Sequence, residues 1–157
     1  MRGPRTALTR LSATLVAGLV SGLLLTGCSD AEAEYCQVLE EESSVLTDLA
    51  ARSSTPGTDV LTPSLAAIER LRDAAPAELR DEWDTVLNAW SALSEAVADS
   101  GIEPEDYRPG EQPEGLTREE QRRLAEVASK LASPRVVEAA AAVEDHALEV
   151  CDVDLGG

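Results

Sequence analysis

The sequence predicts an all-α fold: a disulfide-stapled helical bundle of four principal helices plus one shorter helix. Three observations carry that prediction. Apolar residues recur at three- and four-residue spacing through most of the chain, no segment alternates with strand periodicity, and Cys36 and Cys151 bracket the periodic region.

The first helix is read from Tyr35, Val38, Leu39, Val45, Leu46, Leu49 and Ala50, all on one face, and fades near Arg52, where Ser53-Ser54-Thr55-Pro56-Gly57 supplies turn residues. Thr62-Pro63 reads as an N-cap followed by proline at the first helical position, opening a helix through Leu65, Ile68 and Leu71 to about Ala74. Ala75-Pro76 is expected to start the longest helix. Its stripe is Leu79, Trp83, Val86, Leu87, Trp90, Leu93 and Val97, and Ser100-Gly101 closes it. From Ile102 to Leu116 three prolines and two glycines leave an acidic loop with no regular element. Thr117-Arg118-Glu119-Glu120 then fits a capping box ahead of Leu124, Val127, Ala128 and Leu131. Ser133-Pro134 breaks the chain and opens the last helix, whose seam is Val136, Ala140, Val143, Ala147 and Val150.

The segment ahead of this bundle carries an address. Arg2, Arg5 and Arg10 precede an apolar run from Leu11 to Leu25, too short to cross a bilayer comfortably but shaped like a secretory signal. The run ends in Leu25-Thr26-Gly27-Cys28, which resembles a bacterial lipobox. The expected organisation is a lipoprotein signal peptide over 1–27, a lipidated tether over 28–34 with acyl chains on Cys28, and a bundle domain over 35–155. An ordinary signal cut at a nearby small residue is the alternative. More than one acyl chain holds a protein stably at a membrane, and in a GC-rich Gram-positive bacterium that is expected to be the outer face of the cytoplasmic membrane.

Assigning Cys28 to lipid leaves Cys36 and Cys151, and an oxidising compartment favours a disulfide between them. Two free thiols in a redox or metal site are the competing picture, disfavoured because the pair lacks the closeness of a CxxC motif.

Composition excludes one class of partner. Thirteen basic against thirty acidic residues give a formal charge of -17 in 157 residues, the opposite of what nucleic-acid binding requires. Twelve of the thirteen basic residues are arginine and phenylalanine is absent, a bias that points to a GC-rich genome.

Few residues suggest chemistry. Glu42 shares the apolar face of Tyr35, Leu39, Leu46 and Leu49, so its carboxylate needs a cation or a proton. A partly buried ion pair with Arg72, or second with His146, is expected to fix helix register; a functional carboxylate at the base of a pocket is the alternative. Trp83 and Trp90 read as core, with a ligand cleft as the rarer use. Glu103, Glu105, Asp106 and Tyr107 form a possible ligand or partner loop, since loops of this length are often binding elements. That loop lacks the alternating oxygens of an EF-hand, and a lone histidine offers no structural zinc site, so no metal and no cofactor are assigned. Nothing resembles GxSxG, HExxH, a P-loop or GxGxxG, and no catalytic residues are assigned.

Tyr35-Cys36, Ala77-Glu78-Leu79-Arg80-Asp81-Glu82-Trp83, Ser133-Pro134-Arg135-Val136-Val137, and His146 leading to Val150-Cys151-Asp152-Val153-Asp154-Leu155-Gly156 occur in that order. Across most of the chain beyond Cys28 they resemble a set of uncharacterised small actinobacterial secreted proteins and lipoproteins. The resemblance implies a helical envelope protein and supplies no catalytic residues. The expected role is a monomeric, non-enzymatic binding module for a protein or small ligand. A haem- or metal-handling lipoprotein using Tyr35, Tyr107 or His146, and a purely structural envelope protein, are the alternatives.

Overall fold

The computed structural model describes residues 26–155 apart from positions 112 and 114, and, of Thr26 to Ser29, the backbone alone. The expected signal peptide therefore lies outside the described residues save for its last two positions, as does the side chain of Cys28. Every regular element among the described residues is helical: α1 (Thr26–Arg52), α2 (Leu61–Ala74), α3 (Arg80–Asp99), α4 (Arg118–Leu131) and α5 (Pro134–Cys151), with 3-10 turns at Ala77–Leu79 and Pro104–Asp106. None of these helices is long and apolar enough to cross a membrane.

Helix α3 is the hub, packing against α2, α4 and α5, while α1 packs mainly on α2 and more sparingly on α5. Two apolar clusters result. The larger joins Tyr35 and Leu39 of α1, Ile68 and Leu71 of α2, Trp83 and Val86 of α3, and Ala139, Val143 and Ala147 of α5. The smaller gathers Leu61, Leu93, Val97, Tyr107 and Leu124. Trp90 packs against both. All these residues lie between Tyr35 and Leu155, so that part of the chain contains its own core.

Several boundaries differ from the expectation for identifiable reasons. Helix α1 is already helical at Thr26, the first described residue, rather than starting at Tyr35, so the segment 28–34, expected as a tether, is helical, and α1 with 27 residues is the longest helix among the described residues. Small and acidic residues from Ser29 to Glu34 contain no proline or glycine to stop it. Helix α2 begins at Leu61, because Asp59 rather than Thr62 serves its exposed donors: Asp59 Oδ1 accepts the Thr62 N–H at 3.1 Å. Pro76 does not open α3 directly. The Leu79 N–H donates to the Pro76 carbonyl at 3.0 Å, a tight turn that drives Leu79 into the core before α3 starts at Arg80.

Other terminators are as read. Gly101, at φ +72°, follows the end of α3 in a backbone region that side chains disfavour. The capping box is complete: Thr117 Oγ1 accepts from the Glu120 N–H, and Glu120 accepts from the Thr117 N–H. Ser133 and Pro134 open α5, whose buried ridge is Ala139, Val143 and Ala147. That ridge keeps Val143 and Ala147 of the predicted seam, buries Ala139 more deeply than Ala140 and leaves Val150 exposed. A strict four-residue repeat of small side chains packs closely on α3, and its next member is Cys151.

Cys151 is bonded to Cys36, 115 positions away in sequence, with their Cα atoms 5.2 Å apart. Just beyond it Asp152 takes the left-handed conformation, at φ 55°, and the N–H groups of Asp152 and Val153 both donate to the Ala147 carbonyl. The tail thereby turns back, and Val153 and Leu155 pack on the larger cluster. Constraining so long a loop removes much unfolded-state freedom, so the Cys36→Ser, Cys151→Ser double variant should lose about 2–5 kcal/mol in urea unfolding. An unchanged midpoint would show that the bond contributes nothing to stability.

Candidate functional site

The best-formed site is an apolar cavity of about 690 Å³ where the C-terminal part of α1, the start of α2, α3, the end of α4 and the chain tail converge. Leu46, Leu49 and Ala50 come from α1, Leu61 and Ser64 from α2, Trp90 and Leu93 from α3, and Ala128 and Leu131 from α4. Tyr107, Pro109 and Gly110 close one side, and Leu155 reaches in from the tail. The space exists because Ala50, Ser53, Ser64 and Ala128 are too short to fill the gap between helix ends. Size and lining both fall within the range of small-molecule sites.

Among the described residues the lining contains no Asp, Glu, Lys, Arg or His, although the chain as a whole carries a formal charge of -17. Its hydroxyl-bearing residues are Thr47, Ser53, Ser64 and Tyr107, and the Ser53 hydroxyl already donates to the Ala50 carbonyl at 2.8 Å. Arg108 straps the loop to the turn after α1, its Nη1 donating to the Thr55 carbonyl at 3.4 Å. Burial pushes the Tyr107 phenol above its ordinary pKa, because a phenolate there would lose its hydration.

The predicted loop is therefore split. Tyr107 is buried and forms a wall of the cavity, whereas Glu103, Glu105 and Asp106 are exposed and stand outside the lining. The alternation follows from the Pro104–Asp106 turn, which keeps its carboxylates in water and delivers the next residue inward. The tryptophans divide similarly. Trp83 is core, donating its indole N–H to the Tyr35 hydroxyl at 3.0 Å, while Trp90 lines the cavity.

The expected pairing of Glu42 with Arg72 is not formed. Glu42 is buried as anticipated, at 5% exposure, but its partner is Arg70, whose Nε and Nη2 engage both carboxylate oxygens, the latter at 2.8 Å. Arg72 bonds Asp84 of α3 at 2.6 Å instead. Two residues along a helix rotate a side chain by about 200°, so position 70 faces α1 while position 72 faces α3. These hydrogen bonds to Glu42, and the Coulomb attraction of the same carboxylate, raise the Arg70 pKa further above its already high value.

His146, the second candidate partner, packs its ring against Tyr35 with centroids 5.9 Å apart, and its buried Nε2 has no hydrogen-bond partner among the described residues. Tyr35, Tyr107 and His146 do not converge: Tyr35 and Tyr107 belong to different clusters. Among the described residues no group of three or more His, Cys, Asp or Glu side chains could hold a metal ion.

A larger recess of about 870 Å³ lies between α3 and α5. Asp81, Glu82 and Asp84 of α3, Arg135 and Glu138 of α5 and Lys130 of α4 line it, among alanines. Its mixed charges and small side chains offer little enclosed apolar surface, and Asp84 is already engaged by Arg72, so the apolar cavity is the stronger candidate. Set against known protein families, curated proteins and solved structures, the chain matches none of them.

Tyr35 and Tyr107 are the chain's only tyrosines. Burial raises the Tyr35 pKa as well, partly offset by the hydrogen bond from Trp83. Both groups are thus more readily ionised when unfolded, so their contribution to stability is complete below the unfolded pKa near 10 and is lost as pH rises above it. Ultraviolet titration should show phenolate appearing later in the folded protein than in urea. Coincident titrations would place both rings in water.

Proposed function

We propose that this protein is a lipid-anchored binding module on the outer face of the cytoplasmic membrane, holding a small apolar ligand without catalysing its reaction. The observation that carries the ligand reading is the cavity: five structural elements and the tail converge on it, and no charged side chain among the described residues enters its lining. Apolar enclosure of this kind favours association with apolar molecules through loss of water-exposed area.

Two further features support the setting. Leu25-Thr26-Gly27-Cys28 has the form of a lipoprotein processing site, and a disulfide joining Cys36 to Cys151 suits an oxidising compartment. Lipid on Cys28 would attach the protein at one end of α1, whereas Leu46 to Ser53 line the cavity near the other end. At 1.5 Å per residue about 27 Å of helix separates Cys28 from Leu46. A tether there holds the cavity away from the bilayer, open to ligands from the envelope, and an acidic surface adds no attraction to anionic lipid.

Intact mass and solvent extraction of protein purified from membranes test the proposal together. The expected chain starts at Cys28, carries acyl mass and lacks two hydrogens, and the wild type yields a small apolar compound that an Ala128→Phe variant, with its cavity filled, does not. An unprocessed chain in the cytosol would remove the anchor, and identical extracts would remove the ligand.

A further inference from the structure

We propose that the cavity selects uncharged lipophiles and rejects anions of the same shape, free carboxylates included. The inference rests on reading the cavity as a ligand site and adds the class of ligand.

A buried charge is tolerated only where an opposite charge or several hydrogen bonds replace its water. Of the described lining residues none is basic, so an inserted anion would meet no counter-charge. Three cations adjoin lining residues in sequence, and each is turned elsewhere: Arg108 donates to the Thr55 carbonyl on the strap, Arg52 pairs with Asp48 at 2.6 Å, and Lys130 lines the recess between α3 and α5. An inserted ammonium group would be equally unsupported, because the loop carboxylates Glu103, Glu105 and Asp106 stand outside the lining. What remains is an apolar wall from leucines, Trp90 and Pro109, with Ser64 and Tyr107 as hydroxyl-bearing residues within it. That combination suits a hydrocarbon or aromatic body carrying a hydroxyl, carbonyl, ether or amide. The surface field acts in the same direction: thirty acidic against thirteen basic residues discourage an anion before it reaches the opening.

Residues 28–157 with Cys28→Ser retain the whole core and avoid the detergent that a lipid anchor would require. The probes are phenylnaphthylamine, an uncharged dye that brightens in apolar surroundings, and anilinonaphthalenesulfonate, the same skeleton bearing a sulfonate. The expected result is saturable one-site binding of the neutral dye, with the sulfonate bound at least about tenfold more weakly at both low and molar salt. Ala128→Phe should abolish neutral-dye binding. Ala50→Trp, a substitution at an exposed lining position, is a second filling variant should the first not fold.

Equal binding of both dyes within the cavity would overturn the neutral-ligand inference and leave the cavity as a ligand site. Discrimination that vanishes at molar salt would also overturn it, since selectivity would then belong to surface charge rather than to the lining. No binding by either dye, or binding that neither filling variant disturbs, would overturn the reading of the cavity itself.

Discussion

The bond between Cys36 and Cys151 is the constraint on which the arrangement depends. Helices α1 and α5 stand far apart in sequence and touch less extensively than the pairs that meet through α3. A covalent joint therefore supplies what a core with two tryptophans, two tyrosines and no phenylalanine supplies only in part. Next to it Tyr35 is fully buried, bonded to Trp83 and stacked at a tilt on His146, so one turn of α1 ties α3 and α5 together. The consequence reaches the cavity. The chain leaves Cys151, reverses at Asp152 and lays Leu155 into the lining. A clasp at one place thus shapes a wall at another.

Charge is managed with equal economy. Helix α2 lies between α1 and α3 and presents an arginine to each: Arg70 covers Glu42 of α1, and Arg72 meets Asp84 of α3. The first pair compensates a carboxylate that would otherwise be stranded in the apolar face; the second is more exposed and screened by solvent. Both specify which way α2 faces, a matter its own hydrophobic pattern leaves loose. With these two pairs set at the helix seams, the space beyond Leu46 is lined, among the described residues, without a charged side chain.

Much of the bundle was legible in the sequence because local signals agree. Helical spacing of apolar residues, the Thr117 capping box, the Ser133-Pro134 break and the cysteine count each act within a turn or through a simple covalent choice. The ion-pair partner was not legible, since whether Arg70 or Arg72 faces α1 depends on how α2 is rotated in the assembled bundle. The start of α1 was missed because residues 28–34 lack an apolar stripe and are helical by continuity. The cavity was the least accessible of all. Leucines 46, 61, 93 and 131 carry the same pattern as core residues, and only the meeting of short side chains at Ala50, Ser64 and Ala128 leaves room among them. Tyr107 was identified as part of a loop, but its inward direction comes from the turn before it.

Methyl NMR of leucine- and valine-labelled protein, titrated with phenylnaphthylamine, tests most directly whether the stapled bundle holds a ligand where α1, α3, α4 and the tail meet. Shifts should concentrate at Leu46, Leu49, Leu61, Leu93, Leu131 and Leu155, with Leu155 responding although it lies beyond the last helix. Shifts confined to Val137, Leu148 and Val150, the exposed apolar side chains of α5, would contradict it.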